Sequence, residues 1–380
     1  MKKFFRVTTI PLTINLLLKG QLNYFNQYFD VVAVSSEGAD LQEIAQREKV
    51  RTIALNMERE IAPVKDAVSF FRLLLLLMKE KPAILTANTP KGSLLSLLAA
   101  KLAGVKHRVY IVTGLRFESE TGKKKQLLIN MEKLACWAAT KVVPEGEGVK
   151  KTLQHYKVTG KPLQVIGNGN INGVDLAYYD RSTIPAAALE QVRQQYQIQP
   201  DDKVFCFVGR IVKEKGMEEL VAAFCDLHKT YPNTKLMIVG PVETGGEGIR
   251  REVFSQIDAH PAIIMTGFQK DIRPYLAVSS ALMLPSYREG FPNVVLQAGA
   301  MGLPCIVSDI SGCNEIIKNG FNGLLVPKEQ TQPLYEAMRT LVTDPVLLQQ
   351  MSAVSRGLIA EKFDQQYVWA EWLKMYQSLA

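Results

Sequence analysis

Short apolar runs alternate with helical stretches twice over along these 380 residues, and that pattern admits few folds. In the first half, Phe4–Thr9, Val31–Ser35, Ile84–Thr86 and Arg108–Val112 read as buried strands. Helical stretches at Ile14–Tyr28, Asp40–Glu48, Val64–Lys79 and Gly92–Ala103 lie between them. Strands separated by helices pair in parallel, because a crossover is needed to reach a parallel neighbour. Gly104 closes the helix before the Arg108 strand, as glycine does at a helix C-terminus. A Gly/Asn-rich turn at Gly167–Asp175 and a polar helical linker at Ala186–Gln197 then interrupt the pattern. It resumes with strands at Val204–Val208, Lys235–Val239, Ile263–Thr266, Leu282–Leu284, Cys305–Val307 and Leu324–Val326. The length is too great for one ordinary core. The expectation is an α/β protein with two doubly wound parallel-sheet domains, residues 1–175 and 176–363. A last helix, Asp364–Leu379, carries Tyr367, Trp369, Trp372 and Tyr376, spaced to pack one face on another element.

Composition removes several classes. The longest apolar run, Leu73–Met78, is far short of the roughly 20 residues that span a bilayer. The stretch Asp66–Lys79 is apolar almost all round and reads as a core helix. Thr8, Thr9 and Thr13 interrupt the N-terminus, which reads as a first strand and not a signal peptide. Cys136, Cys206, Cys225, Cys305 and Cys313 show no CxxC spacing, which fits reduced thiols in the cytoplasm. The net charge of +8 is uneven: residues 1–170 hold 26 Lys/Arg against 14 Asp/Glu (26 − 14 = +12). A basic half implies an anionic partner. No aromatic-interleaved basic motif or zinc-finger spacing supports nucleic acid, so a membrane surface or an anionic lipid-linked substrate fits better. Lys123–Lys125 beside Leu127, Leu128 and Ile129 reads as an amphipathic, membrane-facing patch.

The chemistry gathers in the second half. The strand Val204–Val208 runs into Gly209, Arg210, Ile211, Val212, Lys213, Glu214, Lys215 and Gly216 ahead of a helix. Ligands of an open parallel sheet sit beyond the carboxyl ends of its strands, where this loop lies. Gly209 permits close backbone approach, and Arg210 and Lys215 can reach one diphosphate from two sides. After Leu282–Leu284 comes a second passage, Pro285–Gln297. In it Pro292 suits a helix's first turn, and the free N–H groups of that helix face the ligand crevice. Glu289 stands just ahead, positioned for sugar hydroxyls. No Asp-x-Asp occurs, and His107, His155, His228 and His260 lack ligand spacing, so no metal is expected. A departing nucleoside diphosphate then needs fixed cations.

These passages make the family recognisable. NGVD at Asn172–Asp175, FVGRIVKEKG at 207–216, TGFQKDI at 266–272, LPSYREGFPNVVLQAGAMGLP at 284–304 and SGCNEIIKNGFNGLLVP at 311–327 occur in order. The chain resembles the retaining glycosyltransferases of family 4, of the bacterial capsular, exopolysaccharide or O-antigen type. The likeness covers nearly the whole chain. It implies the GT-B fold, two Rossmann-like domains facing each other across a cleft, with the final helix crossing back to the first. It also implies a hexosyl transfer from a nucleotide-sugar donor, UDP by family frequency, to a saccharide or polyprenyl-lipid-linked acceptor. The expectation is an enzyme without cofactor or metal that works in the cytoplasm, with peripheral contact to the inner face of the membrane as a further expectation.

The resemblance also implies roles. Arg210 and Lys215 bind the diphosphate, and Glu289 holds donor-sugar hydroxyls. Gly209, Gly290, Phe291 and Asn293 lie near sugar and phosphates, and Gly267, Phe268 and Gln269 lie by the nucleobase. Gly20, in the loop ahead of the first helix, approaches the phosphates, while Arg116 and Glu118 face the acceptor. One departure stands out: the family's Glu-x7-Glu is Glu289-x7-Gln297 here, which exchanges a charged hydrogen-bond acceptor for a neutral one. Two alternatives share the architecture, a nucleotide-sugar 2-epimerase and a catalytically weak nucleotide-sugar-binding scaffold. A nicotinamide dehydrogenase would need GxGxxG after the first strand, and Thr8–Leu12 lacks it.

Overall fold

The computed structural model describes residues 1–58, 62–243 and 248–379. The chain divides into two compact units, Met1–Gly173 with Gln365–Ala380, and Val174–Asp364.

In the first unit the strands are β1 (Lys3–Val7), β2 (Asp30–Ser35), β3 (Arg51–Ala54), β4 (Ile84–Ala87), β5 (His107–Val112) and β6 (Lys141–Pro144). All pair in parallel, in the order β3-β2-β1-β4-β5-β6. β1, β2 and β4 are buried along nearly their whole length, which is why they read as continuous apolar runs without alternation. The helices are α1 (Pro11–Leu17), α2 (Gln21–Phe25), α3 (Ala39–Glu48), α4 (Pro63–Glu80), α5 (Pro90–Leu102), α6 (Gly122–Ala138) and α7 (Glu147–His155). The terminal helix α16 (Gln365–Leu379) also belongs here. Its Tyr376 meets Phe4 and Phe25 edge-on at 4.8 and 5.4 Å, and its Trp369 tilts onto Tyr24 at 5.3 Å. The aromatic spacing of the last helix is therefore core packing.

Three expectations change. The helix expected over Ile14–Tyr28 is two short ones, because Gly20 takes a left-handed φ of +83° between α1 and α2. Its backbone lies so close to Trp369 that a Cβ would meet the ring at 2.7 Å. Strands β3 and β6 escape the pattern, being four residues each and, for β3, half-exposed at the sheet edge. Finally, α4 is no core helix. It buries only Ser69, Leu73 and Leu77, and turns Val64, Val68, Phe71, Leu75 and Met78 outward.

The second unit repeats the plan. Its strands are β7 (Lys203–Val208), β8 (Thr234–Val239), β9 (Ile263–Gly267), β10 (Ala281–Leu284), β11 (Cys305–Ser308) and β12 (Gly323–Val326). They pair in parallel in the order β12-β11-β10-β7-β8-β9. Around them lie α8 (Ala186–Gln195), α9 (Met217–Thr230), α10 (Arg251–Ala259), α11 (Arg273–Ala277), α12 (Asn293–Ala300), α13 (Cys313–Ile316), α14 (Thr331–Thr343) and α15 (Pro345–Phe363). The Gly/Asn turn at the boundary is ordered by Asn170, whose Oδ1 accepts from the N–H groups of Asn172 and Gly173 at 3.0 and 2.7 Å. All five cysteines are free thiols.

One buried group in the first unit titrates abnormally. Glu132 on α6 is desolvated, which pushes its carboxyl up to about 7 although the Tyr110 hydroxyl donates to Oε2 at 2.6 Å. A carboxyl raised on folding stabilises the native state below its ordinary range, and the contribution is lost as pH rises through the native value. Between pH 4 and 8 the wild type should therefore lose about 3 kcal/mol of stability from this group. Glu132→Gln, which still accepts from Tyr110, should remove most of that slope, as read from urea midpoints across the range. An unchanged slope in the variant would remove Glu132 as its source.

Candidate functional site

In each sheet the strand order reverses direction once, between β1 and β4 in the first unit and between β7 and β10 in the second. At such a point neighbouring strands send their connections to opposite faces, which leaves a crevice beyond their carboxyl ends. β7 and β10 lie side by side in register, Phe205 opposite Ala281 and Phe207 opposite Met283. The loops that follow, Gly209–Gly216 and Pro285–Pro292, are therefore neighbours, although about 70 residues separate them.

The two loops are tied together. Lys215 Nζ lies 2.5 Å from Glu289 Oε1, the side chains only 22% and 12% exposed. The Tyr287 N–H donates to the Glu214 carbonyl at 2.9 Å, and its hydroxyl to Glu219 on α9 at 2.7 Å. Burial, and then that carboxylate, raise the Tyr287 hydroxyl's pKa, so it stays a donor. Arg288 meets Glu214 at 3.3 Å. Two glycines make this closeness feasible. A Cβ on Gly216, at φ +69°, would stand 2.1 Å from the Pro285 carbonyl oxygen. One on Gly312, at φ +79°, would stand 2.1 Å from that of Gly290. Neither glycine figured among the expected site residues.

The expected residues fall along this edge. Arg210 follows β7 and pairs with Glu243 beyond β8, Nη1 to Oε1 3.0 Å, both about two-fifths exposed. Gly267 ends β9 at φ +68°, Phe268 beside it is 68% exposed, and Gln269 Nε2 donates back to the Thr266 carbonyl at 2.8 Å. At about 4.8 Å per strand, the line from β10 through β7 and β8 to β9 covers about 14 Å. Gly290 lies in the loop after β10. Phe291 is buried against Phe363 at 5.4 Å, so its side chain serves the core and only its backbone faces the loop. Pro292 is the N-cap of α12, one place earlier than a first-turn proline, and Asn293 is the helix's first residue. Gln297 on α12 is half-buried, and its side-chain amide has no protein partner among the described residues. The hydroxyls of Ser286, Ser308 and Ser311, at the ends of β10 and β11, are likewise buried without a partner. Sequence reading passed over them, since serine after a strand is an ordinary turn signal. Cys313, beside Glu289 and Lys215, has its thiol pushed far up by burial and is inert.

The first unit shows less of what was expected. Gly20 is not in the loop ahead of the first helix, which starts at Pro11. Its own N–H is taken by the buried Glu48 at 2.9 Å. Arg116 and Glu118 form a short 3-10 turn after β5, both exposed. Glu118 accepts from Thr152 at 3.0 Å, and Arg116 borders a small cavity of about 20 Å³ with Met131 and Glu132. Asn88, the residue after β4 at this unit's own reversal point, is 2% exposed, with both side-chain polar atoms unpartnered among the described residues.

Both halves match family models, one described as "Glycosyl transferases group 1" over residues 189–357 and one as "Glycosyl transferase 4-like" over residues 10–145. The chain belongs to these glycosyltransferases and is an enzyme of that class. It is 29% identical over 379 residues to the capsular polysaccharide biosynthesis glycosyltransferase CapM of Staphylococcus aureus, covering 99% of this chain and 97% of that protein. To the Escherichia coli UDP-Gal:alpha-D-GlcNAc-diphosphoundecaprenol alpha-1,3-galactosyltransferase it is 28% identical over 344 residues, 89% and 86% of the two chains. The crystal structure of Anabaena HepE with UDP and glucose superposes with a TM-score of 0.85 over the whole of both chains at 16% identity, which establishes the GT-B fold.

The Glu243 contact neutralises Arg210, one of the two cations expected to meet a diphosphate. A half-exposed pair of this kind is worth about 0.5–1 kcal/mol. Glu243→Gln should therefore tighten the binding of a nucleoside diphosphate about two- to fivefold by titration calorimetry. Unchanged or weaker binding would show that Arg210 does not meet the diphosphate.

Proposed function

We propose that this protein is a retaining transferase moving a sugar from a UDP-sugar to a lipid-linked saccharide during surface polysaccharide synthesis, with no metal ion. The observation that carries the reading is the Lys215–Glu289 ion pair at the carboxyl edge between β7 and β10, with Arg210 on the loop that leaves the same strand β7. A UDP-sugar laid along that edge puts its base by Phe268, its diphosphate against the two cations and its sugar by Glu289. The relatives named above support the donor and acceptor classes, since one acts on a diphosphoundecaprenol-linked sugar and a structural neighbour was solved with UDP and glucose.

In this scheme the acceptor hydroxyl oxygen attacks the anomeric carbon on the face from which the diphosphate leaves. The new C–O bond forms as the bond to the β-phosphate oxygen breaks. The hydroxyl proton passes to that leaving oxygen, and Arg210 and Lys215 take up the charge on UDP. No side-chain nucleophile is needed, and the configuration is kept. Glu289 orients the sugar and holds Lys215 in place before the donor arrives.

Replacing both cations, Arg210→Ala with Lys215→Ala, should lower kcat/KM at least a thousandfold, and a chelator should leave the wild-type rate unchanged. Full turnover in the double variant, or arrest by the chelator, would overturn the reading. Proton NMR of the product decides retention, and an epimer formed from donor alone would point to the 2-epimerase instead. A separate test uses Gln297. Restoring a carboxylate with Gln297→Glu exchanges a neutral hydrogen bond for a charged one, about 1–2 kcal/mol. Donor affinity should rise about five- to thirtyfold in a thermal-shift titration, and no gain would place Gln297 away from the donor.

A further inference from the structure

A groove of about 390 Å³ opens beside the edge strand of the first sheet, a size within the range of about 300–1,000 Å³ that small-ligand sites occupy. Ile53, Ala54 and Leu55 at the end of β3 and Leu76 on α4 form its apolar wall, and Glu37, Asn56 and Arg72 stand around them. Glu37 lies two residues beyond the end of β2, and Asn56 two beyond the end of β3. Both therefore belong to the carboxyl edge, where ligands of an open parallel sheet gather. β3 is two strands from β1. At about 4.8 Å per strand, the groove lies about 10 Å along that edge from the reversal between β1 and β4.

The backbone around the groove is tied down. The Ser36 hydroxyl donates to the Thr9 carbonyl at 2.6 Å and accepts from the Met57 N–H at 2.9 Å, which joins the turns after β1, β2 and β3. The Ser69 hydroxyl on α4 donates to the Asn56 carbonyl at 2.6 Å, and the Glu37 N–H donates to Asn56 Oδ1 at 3.0 Å. The polar heads are left open. The Glu37 carboxylate, the Arg72 guanidinium and the Asn56 amide nitrogen have no protein partner among the described residues. A fixed frame with open donors and acceptors leaves little to be ordered when a ligand enters.

The mixture of heads selects the ligand class. A phosphate or carboxylate would meet Arg72 but face Glu37, and an amine would meet Glu37 but face Arg72. A purely apolar group would strip water from three polar heads and return no hydrogen bond. A peptide strand added to β3 is opposed as well, since that strand is four residues long and starts with the exposed, charged Arg51. A neutral sugar satisfies every head. Its hydroxyls both donate and accept, so neighbouring ones can serve the carboxylate, the guanidinium and the amide together. Its C–H face can lie on Ile53, Leu55 and Leu76. We propose that this groove is a saccharide-binding site apart from the Lys215–Glu289 edge, holding a neutral sugar of a glycan chain away from the bond being made. The saccharide class comes from the groove alone, and only its use on a growing chain rests on the transferase reading.

Saturation-transfer NMR and calorimetry on the full chain without donor test it, with the neutral trisaccharides maltotriose and N,N′,N″-triacetylchitotriose as probes. At least one should bind. Glu37→Ala with Arg72→Ala, and separately Leu76→Trp, which fills the groove, should weaken that binding at least tenfold. Glu37 and Arg72 are exposed, so the thermal midpoint and UDP affinity of their double variant should not move. Arg210→Ala with Lys215→Ala should bind the trisaccharide as the wild type does. No binding of either probe, unchanged binding without Glu37 and Arg72, or binding lost with Arg210 and Lys215 would overturn the proposal. So would binding of inorganic phosphate that Arg72→Ala alone abolishes, which would assign the groove to an anion. In transfer assays the Glu37 and Arg72 double variant should raise KM several-fold for an acceptor of three sugars. It should leave kcat, and KM for a one-sugar acceptor, unchanged. An equal change for both acceptors would overturn the use on a growing chain. Trisaccharide binding without transfer to any acceptor would instead count against the transferase reading and leave the site standing.

Discussion

The ion pair between Lys215 and Glu289 is the point on which the second unit's chemistry turns. Each residue follows a different strand, and only the parallel order that puts β7 beside β10 brings them within 2.5 Å. Both side chains are mostly withdrawn from water, so neither charge is tolerable without the other. The pair fixes a cation and a carboxylate at known positions, the ones that the proposed function assigns to the diphosphate and to a sugar hydroxyl. Preorganisation of that kind is what makes electrostatic stabilisation of a leaving group effective, because no reorientation is left for the moment of reaction. The Tyr287–Glu219 hydrogen bonds and the glycine contacts at 216 and 312 serve the same end, since they hold the loops where the pair can form.

Much of this was legible in the residues. Long buried strands announce themselves as apolar runs, and a Gly-Arg-rich loop after one of them needs only the rule that ligands gather at carboxyl ends. What stayed hidden has physical reasons. β3 and β6 are four residues long, and β3 is half-exposed at the sheet edge, where the apolar signal is weakest. The helix ends at Lys49 and Lys81 lack the expected glycine, since lysine itself takes the left-handed C-cap at φ 53° and 48°. Gly20 looked like a phosphate-loop glycine. The sequence shows only that a glycine is present there. Trp369, almost 350 positions away in the chain, is what requires it, and Glu48 is what occupies its amide.

Helix α4 illustrates a different failure. Its composition, apolar almost all round, matches a fully buried helix. Packing on one face and exposure on the other satisfy the same pattern, and only the tertiary packing, with α5 against one side of α4, decides between them. The basic excess of the first half pointed to an anionic partner, but it could not say which lysines remain available. Ion pairs within the unit consume several, among them Lys3, Lys91 and Lys124. The cations left over on α4 and α6 stand beside exposed apolar side chains of the same helices.

The glutamine at 297 is best understood through the charges around it. The donor edge already carries two carboxylates, Glu289 and Glu243, each engaged with one of the two cations expected to receive the diphosphate. A dianionic leaving group must compete with both. Every further carboxylate near that edge adds repulsion toward the diphosphate, even as it offers a stronger acceptor to a diol. A neutral amide gives up part of the second term to spare the first. On this view the departure from the Glu-x7-Glu pattern shifts the balance between holding the donor and releasing the spent nucleotide, and it leaves untouched Arg210 and Lys215, the cations proposed to take up the leaving charge.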